Sequence, residues 1–360
     1  MNYGFNRSES KWEDSVWRLT PVEIHDTPLG SIYLKREDKF FLGGEMLSNG
    51  SKARQGVYLA SMYANKPEIH TIISGMAKNS PSHFHVPSIA RHFGKKSVEV
   101  IGQCRLDSRF LEETEMCAAA NYLGASFLRA PCNYNAVIQK TALEYSRKDP
   151  GVYYLEYGIT LDHKKHPSEE IFFFHRVGAN QVNNIPSHIK KLVIALGSGN
   201  SATSVLLGIA MFRDKLPNLR SIELIGTGPD HLYYVKERLN TMSEVSGVDT
   251  DIFKWEYASL EPRILQGGGL LDFSGKILTR FHDCSGSFGL YNYDMKIPNK
   301  IGNVELHPRY EGKMWDYIKR SHPSWVNEDT LFWVVGSELK LDKLKQAVDG
   351  YEGNPQEVFI

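Results

Sequence analysis

Short apolar runs recur along the chain. Each is followed by a break rich in Gly, Ser or Asn, and then by a stretch of mixed polar and apolar positions. KLVIAL at Lys191–Leu196, SIELI at Ser221–Ile225 and LFWVV at Leu331–Val335 read as strands buried on both faces. SIYLK at Ser31–Lys35, IHTIIS at Ile69–Ser74 and VEVI at Val98–Ile101 read as further strands. Helices are expected at Ser51–Met62, Pro87–Phe93 and Glu112–Leu123, the last followed by Gly124 at the left-handed cap position. Strands alternating with helices require crossover connections, so the expected class is α/β with mostly parallel sheets. Tyr145–Pro186 is less regular, mixes polar and aromatic residues, and reads as a connection between domains.

Length and composition narrow the class. At about 150 residues per domain, 360 residues predict roughly two domains. A 41% hydrophobic, 23% charged composition excludes a disordered, collagen-like or coiled-coil chain. Lys+Arg and Asp+Glu both number 42, so no broad basic field for nucleic acid is expected, although a nucleic acid remains open as a substrate. Cys104, Cys117, Cys132 and Cys284 form no CxxC pair, which fits a reducing, cytoplasmic setting. No apolar run of about 18 residues is present, and no membrane association is expected. His83, His85 and His92 lack HExxH spacing, so no metal is expected.

Four segments carry candidate chemistry. LVIALGSGNSATSVLLG, Leu192–Gly208, runs from a strand through a Gly/Ser/Asn loop into a helix. Gly197 and Gly199 allow close backbone approach, and the amides of Gly199, Asn200, Ser201 and Ala202 can share one concavity. Hydroxyls of Ser198, Ser201 and Thr203 add donors. The loop is neither a Walker A motif, since no Lys follows, nor GxGxxG, since Ala202 takes the third position. In Leu34–Gly56, Lys52 lies at a helix start, where the positive dipole end favours the free amine and hence Schiff-base chemistry. SGMAKNSPSH, Ser74–His83, is a polar loop after a strand, where α/β sheets bind ligands. HPRYEGK, His307–Lys313, places Tyr310 and Glu311 before a glycine.

In this order the four segments resemble the fold-type II pyridoxal 5'-phosphate (PLP) enzymes, which are tryptophan synthase beta-like. They look most like the branch of D-cysteine desulfhydrase and 1-aminocyclopropane-1-carboxylate deaminase. TPLG and IYLKRED (Thr27 to Asp38) resemble the opening strand, and NGSKARQ (Asn49–Gln55) the lysine motif with Lys52 at the Schiff-base position. The resemblance implies that Asn79 meets the ring hydroxyl and that Gly197 through Ala202 hold the phosphate by backbone donors rather than by a cation. It also implies that Tyr310 lies beside the substrate and that Glu311 faces the pyridine nitrogen. A carboxylate there keeps the ring protonated, the stronger electron sink. Ser80, Ser82, His83 and Phe288 are then expected on the substrate side.

Two departures bear on the reaction. Lys78 stands where the deaminase loop has a serine, as a cation for a substrate carboxylate or a second proton carrier. Phe288, in SGSFG (Ser285–Gly289), stands where a tyrosine is expected and has no hydroxyl. The first expectation is elimination or deamination at the α-carbon of a small amino acid. The alternatives are decarboxylation or lysis of an amino acid attached to a larger molecule such as a modified nucleotide, and a non-catalytic PLP-binding role. The resemblance implies two open twisted sheets with the cofactor at the domain interface. It places a large cofactor domain at 1–55 and 166–360, a small inserted domain at 56–165, and a homodimer.

Overall fold

The computed structural model describes residues 16–42, 49–77, 80–102, 115–258, 275–338, 340–342 and 344. A seven-stranded sheet has the order β1-β2-β13-β7-β8-β10-β9. Its strands are β1 (Val22–Thr27), β2 (Gly30–Arg36), β7 (Lys191–Leu196), β8 (Ser221–Gly226), β9 (Phe253–Tyr257), β10 (Ile277–Asp283) and β13 (Thr330–Val334). Only the β1–β2 hairpin is antiparallel; every other pairing in this sheet is parallel. A second, wholly parallel sheet has the order β5-β4-β3-β6, from β3 (Thr71–Gly75), β4 (Lys96–Ile101), β5 (Ser126–Arg129) and β6 (Val152–Tyr154). All its strands lie between residues 71 and 154, whereas the larger sheet draws on both sides of that interval. A short hairpin, β11 (Asn299–Ile301) with β12 (Val304–Leu306), stands apart.

The strands read from apolar runs are present, with β7 matching residue for residue. β3, β7, β8 and β13 are buried along nearly their whole length, as strands covered on both faces must be. The expected helices become α1 (Gly50–Leu59), continued by a π-turn at Ala60–Ala64, α2 (Ser82–His92) and α3 (Glu115–Tyr122). Residues 112–114 of the third expected helix lie outside the described residues. α2 starts five residues before Pro87, which sits inside the helix rather than opening it.

The segment 145–186 is not the plain connection expected. It holds the end of α4 (Asn135–Ser146), β6, α5 (Ser168–Ala179) and a 3-10 turn at Asn180–Asn184. The buried residues Ile171, Phe174 and Val177 recur at helical spacing in α5. The run Phe172–Phe173–Phe174 hides that period in the sequence. α5 packs against α1, α6 (Asn200–Met211) and α7 (Leu232–Ser246) in the main core.

A buried ion pair fixes α1 to the end of β2. Arg54 Nε and Nη2 each donate to Glu37 at 3.2 Å, and both side chains are at most 1% exposed. Thr20 and Ser51 donate to the same carboxylate, and the Phe40 ring lies 4.2 Å from the guanidinium. Removing one partner leaves the other charge buried and uncompensated. Arg54→Met therefore loses about 3–5 kcal/mol of stability in urea unfolding. The double variant Glu37→Gln/Arg54→Met recovers part of the loss; no difference between single and double variants would contradict this.

Candidate active site

Three loops converge on one cleft of about 2210 Å³ between the two sheets. The first is the start of α1. Gly50 has φ +83°, and a Cβ there would come 2.3 Å from Val335 O and 2.8 Å from Gly336 Cα. Only glycine lets the helix start so close to the end of β13. Ser51 N donates to Val335 O at 2.9 Å, and Asn49 exchanges two hydrogen bonds with Ser337. Lys52 is thereby held in the cleft wall. Its amine has no hydrogen bond or ion pair among the described residues, and burial pushes it down to about 8. The helix dipole acts in the same direction.

The second is the start of α8 (Glu311–Ser321), behind the cleft wall formed by Tyr310, Val335 and Gly336. Glu311 is fully buried. Its Oε1 accepts the Val335 amide at 2.8 Å, and its Oε2 has no hydrogen-bond partner among the described residues. Burial pushes this carboxyl up to about 8, partly offset by backbone amides. Tyr310 precedes it, with its ring 3.1 Å from where a Cβ on Gly197 would stand. That contact explains the first loop glycine.

The third is the Gly/Ser loop. Gly199, at φ +86°, caps α6. The amides of Asn200, Ser201 and Ala202 thus start the helix without partners inside it, a ready anion site. The loop from Gly197 to Ala202 lines the cleft. The Asn200 side chain points elsewhere: it donates to Ile159 O at 3.1 Å and accepts from Thr160 at 3.2 Å, tying the loop to the 155–167 segment.

The remaining expected residues are dispersed. Ser80 lines the cleft, while Lys78 and Asn79 lie outside the described residues. Ser82 is buried outside the cleft lining. His83 is buried too, its ring against Glu99 and Ala77 O, both at 3.1 Å. They belong to α2, which turns them into the protein. Phe288 packs against Tyr317 in a second apolar cluster, not in the cleft wall. In its stead Tyr293 lines the cleft, its hydroxyl 3.3 Å from that of Tyr310. Sequence reading missed Tyr293 because it lies five residues past the expected position, in an irregular loop. It also passed over His307, whose ring lies 4.8 Å from Tyr310. His85 and His307 both line the cleft. Burial first, and nearby cations including Lys52 second, push each down to about 3, so both present neutral imidazoles.

The chain is 33% identical to the O-seryl-dTMP PLP-dependent decarboxylase of Salmonella phage ViI, over 95% of this chain and 87% of that protein. A crystal structure of an ACC deaminase homologue superposes with a TM-score of 0.61 at 16% identity, covering 91% of this chain and 94% of that one. No protein-family model matches. The chain belongs to the fold-type II family of PLP-dependent enzymes. It is an enzyme whose cofactor is pyridoxal 5'-phosphate. The residues present fit that group: an orphaned buried carboxylate oxygen, an unpaired amine brought near neutrality, and a helix start for a phosphate. No helix among the described residues is long and apolar enough to cross a membrane.

Glu311 gives a signed pH dependence in the cofactor-free protein. Its folded-state value, about 8, lies above the ordinary 4.5, so the folded state holds the proton more tightly. Its contribution is full below about 4.5 and is lost as pH rises through about 8. Wild type should therefore lose stability relative to Glu311→Gln between pH 5 and 8, on the order of 2–4 kcal/mol by urea unfolding. Parallel curves for the two proteins would contradict the assignment.

Proposed function

We propose that the enzyme decarboxylates an amino acid carried on a larger molecule, with a serine-linked nucleotide as the substrate class. The observation that carries this reading is the identity across nearly the whole chain to a protein named for that reaction. The cleft supports it. At about 2210 Å³ it exceeds the roughly 300–1,000 Å³ of an ordinary small-molecule pocket. Its lining includes Tyr157, Arg147 and Lys164 as well as Lys52, and its volume leaves space beyond a cofactor and a free amino acid.

The chain's own groups divide the work. Lys52 holds the cofactor through its amine. The Gly197–Ala202 loop takes the phosphate, and Glu311 Oε2 is the partner for a proton on the pyridine nitrogen. Pyridoxal phosphate, when bound, supplies the electron sink for the pair left at the α-carbon. In the reaction the bond from Cα to the carboxylate breaks, CO2 leaves, and a proton is returned to Cα. Lys52, near 8, is poised to carry that proton close to neutral pH. The paired hydroxyls of Tyr310 and Tyr293 face the substrate and orient it.

The test is direct competition of substrates. Incubation with the serine ether of a thymidine nucleotide should release CO2 and leave the corresponding amine, read by mass spectrometry. Free serine should be turned over at a kcat/KM lower by roughly 100-fold or more. Efficient release of ammonia from free small amino acids would overturn the proposal and favour elimination or deamination.

A further inference from the structure

The roles above leave Arg238 unused. It lies on α7, is 8% exposed, and lines the cleft beside the Gly/Ser loop. A guanidinium stays charged at any working pH, and burying it without an anion is strongly unfavourable. Yet among the described residues Arg238 has no carboxylate within 4.0 Å. Its Nη1 reaches only Ser198 O, at 3.5 Å, and its Nε is buried without a hydrogen bond. The carboxylate that acts on it from a distance, Asp162, is committed to Lys165 at 2.8 Å and to the Lys164 amide at 3.0 Å. His163 lies in the same wall, with Nε2 buried and unpaired. Burial first, and the charge of Arg238 second, push its imidazole below the ordinary value.

The fold presses Arg238 against the start of α6. A Cβ on Gly199 would come 2.9 Å from Val235 Cγ2 and 3.6 Å from Arg238 Nη1, so α7 packs directly on the loop glycine. The free amides of Asn200, Ser201 and Ala202 begin at the same residue. A buried cation with no carboxylate within 4.0 Å among the described residues thus stands at a helix N-terminus, and an unpaired imidazole nitrogen lies in the lining of the same cleft. The cation and the helix N-terminus each favour an anion, and the neutral imidazole can add a hydrogen-bond donor through Nε2.

We propose that Arg238, with His163 beside it, completes a phosphate-monoester site at the N-terminus of α6. The cation supplies the counter-charge absent from the loop itself. Two phosphates have this chemistry, that of the cofactor and that of a nucleotide substrate. The contact of Arg238 with Ser198 and Gly199, inside the loop, favours the cofactor's. The inference rests on the cofactor and does not depend on decarboxylation.

Cofactor-free wild type, Arg238→Gln, Arg238→Lys and His163→Gln would be titrated with pyridoxal phosphate and with pyridoxal, followed by absorbance. Thymidine 5'-monophosphate would be titrated alongside, followed by tryptophan fluorescence. Loss of a charge-assisted hydrogen bond predicts about 10- to 100-fold weaker pyridoxal phosphate binding in Arg238→Gln. Pyridoxal, which lacks the phosphate, should bind all four proteins alike, and Arg238→Lys should recover part of the loss. A loss confined to thymidine 5'-monophosphate keeps the phosphate site but gives it to the substrate. If all three ligands bind Arg238→Gln as tightly as wild type, the proposal is overturned. If pyridoxal weakens in step with its phosphate, the effect is on the fold and the proposal is likewise overturned. His163→Gln and Arg238→Lys, which keep the cation, guard against a folding defect in Arg238→Gln alone.

Discussion

One backbone residue ties the two ends of the active site together. Val335 donates its amide to Glu311 at 2.8 Å and accepts the Ser51 amide on its carbonyl at 2.9 Å. The acid on α8 and the lysine on α1 are thus spaced by a single residue just past the end of β13. The close approach is available because Gly50 has no side chain and takes a positive φ. Behind it, the Arg54–Glu37 pair anchors α1 to β2, and β2 pairs with β13 in parallel register. Lys52 therefore inherits its position from the middle of the sheet rather than from a flexible loop.

The same burial that positions these groups sets their charge. Desolvation lowers the Lys52 amine and raises the Glu311 carboxyl until both lie at about 8. It also keeps His85 and His307 neutral beside the lysine. An amine and a carboxyl that exchange protons near the same pH suit the roles proposed for them, holding one proton at a ring nitrogen and delivering another to carbon. The orphaned oxygen of Glu311 is an unfavourable feature for the empty fold, and the proposed pairing with a heterocyclic nitrogen would satisfy it.

Much of this was legible from local chemistry. β7, β8 and β13 announce themselves because strands covered on both faces need nearly unbroken apolar runs. The start of α6 does so through its glycines, Gly199 required by its positive φ and Gly197 favoured by the close ring of Tyr310. Side-chain direction was not legible. Asn200 sits in the loop proposed to take the phosphate but turns to Ile159 and Thr160, 41 and 40 positions away. Ser82 and His83 face inward because α2 begins before Pro87, which no proline rule predicts. Phe288 and Tyr293 differ by five residues in an irregular loop, so spacing alone could not tell which ring enters the cleft. Arg238 and His163 come from separate parts of the sequence and share a cleft wall only in the folded chain.

The visible absorbance spectrum of the purified protein, compared with that of Lys52→Ala, tests the central claim most directly. Wild type should show the band of lysine-bound pyridoxal phosphate, and Lys52→Ala should lack it even with added cofactor while remaining folded. A covalent cofactor band that survives in Lys52→Ala would contradict the assignment of the lysine. No band in wild type supplied with pyridoxal phosphate would contradict the reading of the whole site.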